Sequence, residues 1–227
     1  MNHAIRKPIA LGLAALTVLG ATSAFAYSTS NLSQIINPGT LVVDIVDGSY
    51  APVANPGVNM TDKTFNFACQ KDADASTGVL GTSTEQIYVK NPDAADNGWN
   101  VSIAAASTSA VWESVKGTYD FNDVAGSGCN DGSDTDSVAG KLTVNPSVGT
   151  LAVGSCLNCT TTDISKGASA SFNQGTVDSI TLLDAAAGSD DIGDFRLQGV
   201  ALSQTIPAEQ PAADDYNIDM VLSVTAV

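Results

Sequence analysis

The sequence predicts an all-β protein, an antiparallel β-sandwich of the jelly-roll or immunoglobulin-like type. Apolar residues recur at every second position in many short segments, and turn-forming residues separate these segments. Aspartate outnumbers glutamate by 21 to 3. This bias favours turns over helices, because the short aspartate side chain bonds to nearby backbone groups. We expect no long helix after residue 26.

The first 26 residues have the pattern of a secretory signal peptide. Two basic residues precede an apolar run from Ile9 to Gly20, and Ala24-Phe25-Ala26 supplies the small residues that signal peptidase requires. The run is shorter than the roughly 20 residues of a membrane-spanning helix. We therefore expect cleavage before Tyr27 and a single secreted domain over residues 27–227, with no transmembrane span.

The net charge and the placement of histidine exclude several functions. Cleavage changes the formal charge from −15 to −17, so we expect no binding to nucleic acid or to anionic membranes. The one histidine, His3, lies in the signal peptide. Histidine-dependent catalysis and histidine-ligated metals are therefore excluded for the mature chain, and we predict that it is not an enzyme. The least favoured alternative is an extracellular glycoside hydrolase that uses paired aspartates.

Four cysteines remain after cleavage, and an even number in a secreted chain predicts two disulfides. Three pairings are open, and we prefer Cys156–Cys159 together with Cys69–Cys129, which closes a long loop. A zinc or redox role for the Cys-x-x-Cys pair is the alternative. It is disfavoured because the residues that follow are poor helix formers, whereas a redox pair is activated at a helix N-terminus.

The predicted strands follow one another along the chain, each with one apolar face. A strand near Phe195 and Leu202 contains Gly199, which we interpret as a bulge. The last strand begins at Tyr216 and places Met220 on its apolar face. The other alternating segments lie at 41–46, 65–69, 87–89, 99–103, 142–144 and 180–182.

A long polar loop is predicted around residues 120–137. Asp131, Asp134 and Asp136 place three carboxylates in this Gly-containing stretch, and hard oxygen ligands of this kind suit calcium. A calcium site is one interpretation, and solvated acidic turns are the other; we expect no other cofactor. A second acidic cluster at 184–194 has the same two interpretations. Three more oxygen-bearing side chains precede the first cluster: Asp120, Asn122 and Asp123.

Two tryptophans are the candidate contacts with a surface polymer. Trp99 lies in an alternating strand, where a core position is the preferred interpretation. Trp112 lies in a less regular stretch and is the better candidate for an exposed contact.

Two stretches resemble the WxL-domain proteins of bacterial cell surfaces. Gly98-Trp99-Asn100-Val101-Ser102-Ile103 is similar to the Gly-Trp-x-Leu strand of that family. Ile206-Pro207-Ala208, followed by the strand from Tyr216 to Val224, is similar to its closing loop and strand. Val101 replaces the family's leucine, and Leu222-Ser223-Val224 stands where a second Trp-x-Leu is expected. The resemblance implies a secreted β-sandwich that associates non-covalently with the cell wall.

From these features we expect a secreted structural or binding protein of the cell surface, with a cell-wall or surface polymer as its partner. The alternative is a subunit of an extracellular filament or coat. In that case residues 27–37 would add as a strand to the sheet of another copy.

Overall fold

The computed structural model describes residues 33–93 and 97–227, so the predicted signal peptide and its cleavage site lie outside the described residues. Asn37–Val227 form one compact unit. Residues 33–36, outside that unit, are exposed and have no regular secondary structure. None of the helical segments described is long and apolar enough to cross a membrane.

Regular structure in the described residues consists of strands and two three-residue 3-10 turns, Asp72–Asp74 and Pro146–Val148. The predicted all-β antiparallel sandwich is therefore confirmed. The strands are β1 Val42–Val46, β2 Ser76–Leu80, β3 Gln86–Asn91, β4 Trp99–Ala105, β5 Trp112–Ser114, β6 Gly117–Tyr119, β7 Lys141–Asn145, β8 Thr150–Val153, β9 Ile164–Lys166, β10 Ala170–Ser171, β11 Ile180–Ala185, β12 Gly193–Gln198, β13 Val200–Thr205 and β14 Met220–Ala226.

These strands form three four-stranded antiparallel sheets and one hairpin. Sheet I has the order β1-β3-β12-β8, sheet II the order β10-β7-β13-β2, and sheet III the order β14-β4-β11-β9; β5 pairs with β6. The inward faces of all three sheets meet in one apolar core, as the period-two pattern requires. Its fully buried members include Ile87, Val89, Trp99, Val101, Val144, Leu182, Phe195 and Leu197.

Gly199 is a corner of the fold, where the sequence predicted a bulge within one strand. β12 belongs to sheet I and β13 to sheet II, and Gly199 between them has a φ of +78°. Its amide donates to the Gly81 carbonyl at 2.7 Å. Gly81 also has a positive φ, and a Cβ there would lie 2.8 Å from the Leu197 carbonyl oxygen. Gly199 is required by its positive φ, and Gly81 by both its φ and the close approach of the Leu197 backbone, so the chain can change sheets here.

The apolar alternation at 65–69 does not form a strand, contrary to the prediction. Phe65 is 44% exposed and Phe67 79% exposed. Their rings contact each other at 5.2 Å. In the described part of the chain this segment pairs with no strand. The Asn66 carbonyl accepts the Glu209 amide at 2.8 Å, and an isolated bridge joins the adjacent Gln70 to Ile206. Alternation alone does not produce a strand when no neighbouring strand supplies the hydrogen bonds.

Candidate metal centre

The polar loop between β6 and β7 begins inside the protein. Asp120, Asn122 and Asp123 have no exposed surface. The Asp120 amide donates to the Ala139 carbonyl at 2.8 Å, and the Asp123 amide donates to the Gly140 carbonyl at 3.2 Å. These bonds join the two ends of the loop and carry the first acidic residues inward. The prediction of an exposed loop therefore holds only for its later part.

In the later part of the loop, every second side chain points toward the buried residues 120–123. Asp134 and Asp136 are half-buried and face inward, whereas Asp131 is exposed. The Asp131 carboxylate accepts the amide of Ser133 at 2.9 Å and so closes a turn at the surface. Two of the three predicted ligands thus come together. Asp131 does not join them, because it lies on the opposite, exposed side of the alternating segment.

Three carboxylates converge at the buried end of the loop. One oxygen each from Asp120, Asp134 and Asp136 lies within 4.8 Å of the others. Five buried side-chain oxygens here have no hydrogen-bond partner in the described part of the chain: Asp120 Oδ2, Asn122 Oδ1, Asp123 Oδ2, Asp134 Oδ2 and Asp136 Oδ2. Each such oxygen costs about 1–3 kcal/mol in a folded protein. A proton, a bound water or a bound ion can satisfy such oxygens, and five of them in one loop make this a candidate cation site.

The backbone fixes the direction of these free oxygens. Asp120 Oδ1 accepts the amides of Phe121 and Asn122, at 2.6 and 3.1 Å. Asp123 Oδ1 accepts the Gly132 amide at 3.1 Å. The Asn122 side-chain nitrogen donates to the Thr108 carbonyl at 2.9 Å. In each of these residues one polar side-chain atom is hydrogen-bonded within the protein. The other polar atom is an oxygen, and it is left for another partner.

The electrostatics of the cluster favour a cation. The pKa of Asp120 is raised to about 7, chiefly by burial and in part by the charges of Asp136 and Asp134, against the lowering effect of its two backbone hydrogen bonds. Burial also raises the pKa values of Asp123 and Asp136, and the charge of Asp134 adds to both. The ammonium group of buried Lys141 acts in the opposite direction on Asp123. One ammonium group does not balance four carboxylates, so the site keeps a negative charge when all are ionised.

Both preferred disulfides are present, Cys69–Cys129 and Cys156–Cys159. Cys129 lies within the acidic loop, so the first bond ties that loop to a segment 60 residues earlier. The second bond uses both sulfurs, so the oxidised chain has no thiolate at Cys156 or Cys159 to bind zinc.

The second acidic cluster is occupied by hydrogen bonds within the protein. Asp194 accepts bonds from the Tyr88 hydroxyl and from groups of residues 155–156. Burial acts to raise the pKa of Asp194, but these hydrogen bonds outweigh it and the pKa is lowered. Asp184 and Asp190 each accept a hydrogen bond as well. Asp194 and Asp190 accept backbone amides of residues 155, 156 and 160 and so hold the turn of the second disulfide, whereas Asp184 bonds to Asn100 on the neighbouring strand. We place no metal in this cluster.

The two tryptophans have different environments. Trp99 is fully buried, donates to the Asp191 carbonyl at 3.1 Å and packs on Phe195. Its core position is confirmed, so its assignment as a surface contact is wrong. Trp112 is half-buried and stacks on Tyr119 with ring centroids 5.7 Å apart. Of the two indoles, Trp112 alone is accessible to a partner.

Comparison with protein-family models, with curated proteins and with solved structures finds no match to this chain.

Proposed function

We propose that this chain is a secreted structural or binding protein of the cell surface, and that its sandwich binds one calcium ion at the acidic loop. The observation that carries the calcium assignment is the set of five buried, unpartnered oxygens between residues 120 and 136. Secretion is supported by the signal-peptide pattern, and the two disulfides are consistent with an oxidising compartment.

The donor set favours calcium over other divalent cations. All five atoms are oxygens, from four carboxylates and one amide. Calcium takes six to eight oxygen ligands in adaptable geometry, whereas magnesium keeps several waters and zinc prefers nitrogen and sulfur. Extracellular calcium modules bind with dissociation constants of about 10⁻⁴ to 10⁻³ M, which matches calcium levels outside cells.

The ion would hold the loop against the body of the protein. It would pair with the carboxylates of Asp120, Asp134 and Asp136, which otherwise repel one another. Because the bound state is available only to the folded chain, binding adds to the free energy of unfolding. The role we propose for calcium is structural.

Calorimetric titration of the chelator-treated mature protein tests this proposal. We expect one calcium site for the unaltered chain and for Asp131→Asn, because Asp131 lies outside the cluster. Asp120→Asn should abolish binding or weaken it strongly. Absence of both a binding heat and a rise in melting temperature at millimolar calcium would overturn the assignment.

Wall association is proposed from the sequence resemblance, and Trp112 is the accessible one of the two tryptophans. The partner would be a wall or surface polymer.

Assembly of copies by strand addition is a second candidate, favoured by a pair of exposed residues. Ile35 and Ile36 are each 85% exposed in a segment without regular structure. β14 lies at the edge of sheet III and exposes Val221 at 45%. An apolar segment adding to such an edge would cover both surfaces. A chain that stays monomeric at high concentration in light scattering, with and without calcium, would contradict this candidate.

A further inference from the structure

An aromatic cleft is lined by Tyr119, the residue that directly precedes the acidic loop. It has a volume of about 530 Å³. Its walls include Trp112, Tyr119 and Tyr216, together with parts of the segments 58–66 and 210–214. The three rings are in contact. Trp112 stacks parallel to Tyr119, and Tyr216 meets Tyr119 edge-on with ring centroids 5.0 Å apart. We refer to these three residues as the aromatic wall.

Gln204 connects the aromatic wall to the candidate metal centre. This side chain is fully buried in β13. Its nitrogen donates to the Asp120 backbone carbonyl at 2.9 Å, and its oxygen accepts the Trp112 indole N–H at 3.0 Å. The same nitrogen also donates to the Thr205 carbonyl at 2.8 Å. One amide therefore spans the distance between a candidate calcium ligand and the indole.

A second connection runs through the backbone. Tyr119 directly precedes Asp120 and is buried beneath Trp112. A shift of Asp120 moves the peptide that carries Tyr119, and it also moves the carbonyl that Gln204 recognises. Both connections end at Trp112, so the position of Asp120 sets the geometry of the aromatic wall.

We propose that calcium bound at the acidic loop fixes the aromatic wall, so that the shape of the cleft depends on calcium. This inference rests on the proposed calcium site. Without the ion, the carboxylates of Asp120, Asp134 and Asp136 repel one another and gain by moving toward water. That movement draws the Asp120 carbonyl away from Gln204 and releases the indole. With the ion, Asp120 is held and the wall is ordered.

Trp112 fluorescence reports this coupling directly. The chain has two tryptophans, and Trp99 is fully buried in the core. Calcium added to the chelator-treated protein should shift the emission to shorter wavelength and reduce quenching by acrylamide. Trp112→Phe should bind calcium in calorimetry but lose the fluorescence response. A response that persists in Trp112→Phe would overturn the inference.

Gln204→Met tests whether this side chain couples the candidate calcium site to the aromatic wall. The substitution keeps the side-chain volume but removes the bonds to Asp120 and Trp112. We expect calcium binding to be retained and the Trp112 response to be lost. Gln198→Met is the matched control, because Gln198 bonds to the Thr82 carbonyl and touches neither site. A full Trp112 response in Gln204→Met would overturn the coupling through this residue.

Hydrogen exchange of the unaltered protein covers the case in which Gln204→Met does not fold. Calcium should slow exchange at the amides of residues 112–119 as well as in the loop. Slowing in the loop alone would overturn the coupling and leave the calcium site intact. Absence of any calcium binding in calorimetry would instead overturn the proposed function itself, so the two failures are distinguishable.

Discussion

The carboxylates of Asp120 and Asp136 meet at the two ends of one loop, with oxygen atoms within 4.8 Å of each other. Asp120 is fully buried and Asp136 half-buried, and the facing oxygen of each has no hydrogen-bond partner in the described chain. Two like charges at this distance oppose folding unless a proton or a cation lies between them. The stability of the protein should therefore depend on both pH and calcium.

Without calcium, the free energy of unfolding should fall as the pH rises from about 4 to about 7. The pKa of Asp120 is raised by burial from its ordinary 3.8 to about 7, and the charges of Asp136 and Asp134 add to the shift. In this window the folded chain keeps a proton that the unfolded chain has released, so raising the pH favours unfolding. Thermal denaturation in chelator at several pH values measures the slope.

Millimolar calcium should remove this loss, because the ion stabilises the ionised carboxylates and competes with the proton. In chelator, Asp120→Asn should remove the part of the pH dependence of the free energy of unfolding that comes from the Asp120 carboxyl. Burial lowers the pKa of Lys141, and the charges of Asp123 and Asp120 oppose that shift. Stability that rises with pH in chelator over this range would contradict the prediction.

Asp136→Asn should have opposite effects in the two conditions. In chelator the oxygen of the new asparagine side chain can still accept a hydrogen bond from the Val138 backbone N–H, as Asp136 does at 3.0 Å. Its nitrogen can donate a hydrogen bond to Asp120 Oδ2. A new buried hydrogen bond of this kind stabilises by on the order of 1 kcal/mol. In calcium the variant should be less stable than the unaltered chain, because it has lost a charged ligand. Paired denaturant titrations with and without calcium measure both signs.

Asp131→Asn is the control for this comparison, since Asp131 is exposed and outside the cluster. Its stability should change little in either condition. If Asp136→Asn is destabilised equally with and without calcium, Asp136 has only a packing role.

The period-two pattern holds for both the strands and the acidic loop of this protein. It located the strands that carry Val89, Trp99 and Val101. Burial also alternates along the acidic loop, so that Asp134 and Asp136 share one side and Asp131 lies on the other. Apolar residues mark the buried side of a strand in the sequence, whereas a run of polar residues carries no such mark.

Other features depend on contacts that no local pattern reports. Gly199 looks like a bulge in the sequence, and only its hydrogen bond to Gly81 identifies a corner between two sheets. Asp120 becomes a candidate ligand because the Ala139 carbonyl holds its amide inside the protein. Phe65 and Phe67 alternate correctly yet remain outside any strand. Burial and pairing of this kind come from tertiary structure.

Wall association can be tested by sedimentation with purified bacterial cell walls. We expect the mature protein to co-sediment, and Trp112→Ala to remain largely in the supernatant, because Trp112 is the accessible indole. Glu113→Gln, on the neighbouring exposed position, is the control. Complete recovery of the unaltered protein in the supernatant would contradict wall association but would leave the calcium site untouched.

The two disulfides should contribute unequally to stability. The chain-entropy model gives about 4 kcal/mol for the 60-residue loop closed by Cys69–Cys129, and about 2 kcal/mol for the short loop closed by Cys156–Cys159. Double substitution of each pair by alanine, followed by urea denaturation, measures the two values. A larger loss for the Cys156–Cys159 pair would show that local packing outweighs loop length.

Gly193→Ala should destabilise the protein through the second disulfide. Gly193 has a φ of +147°, and a Cβ at this position would lie 2.3 Å from the Cys159 sulfur. Part of the cost is therefore a clash with the sulfur, and part is backbone strain at the positive φ. In a chain that already carries Cys156→Ala and Cys159→Ala, the clash with the sulfurs is absent, whereas the strain and a 3.2 Å contact with the Cβ of residue 159 remain. A double-mutant cycle measured by denaturation should thus show a smaller penalty for Gly193→Ala in the disulfide-free background. Equal penalties in both backgrounds would show that the sulfurs do not contribute to the need for glycine.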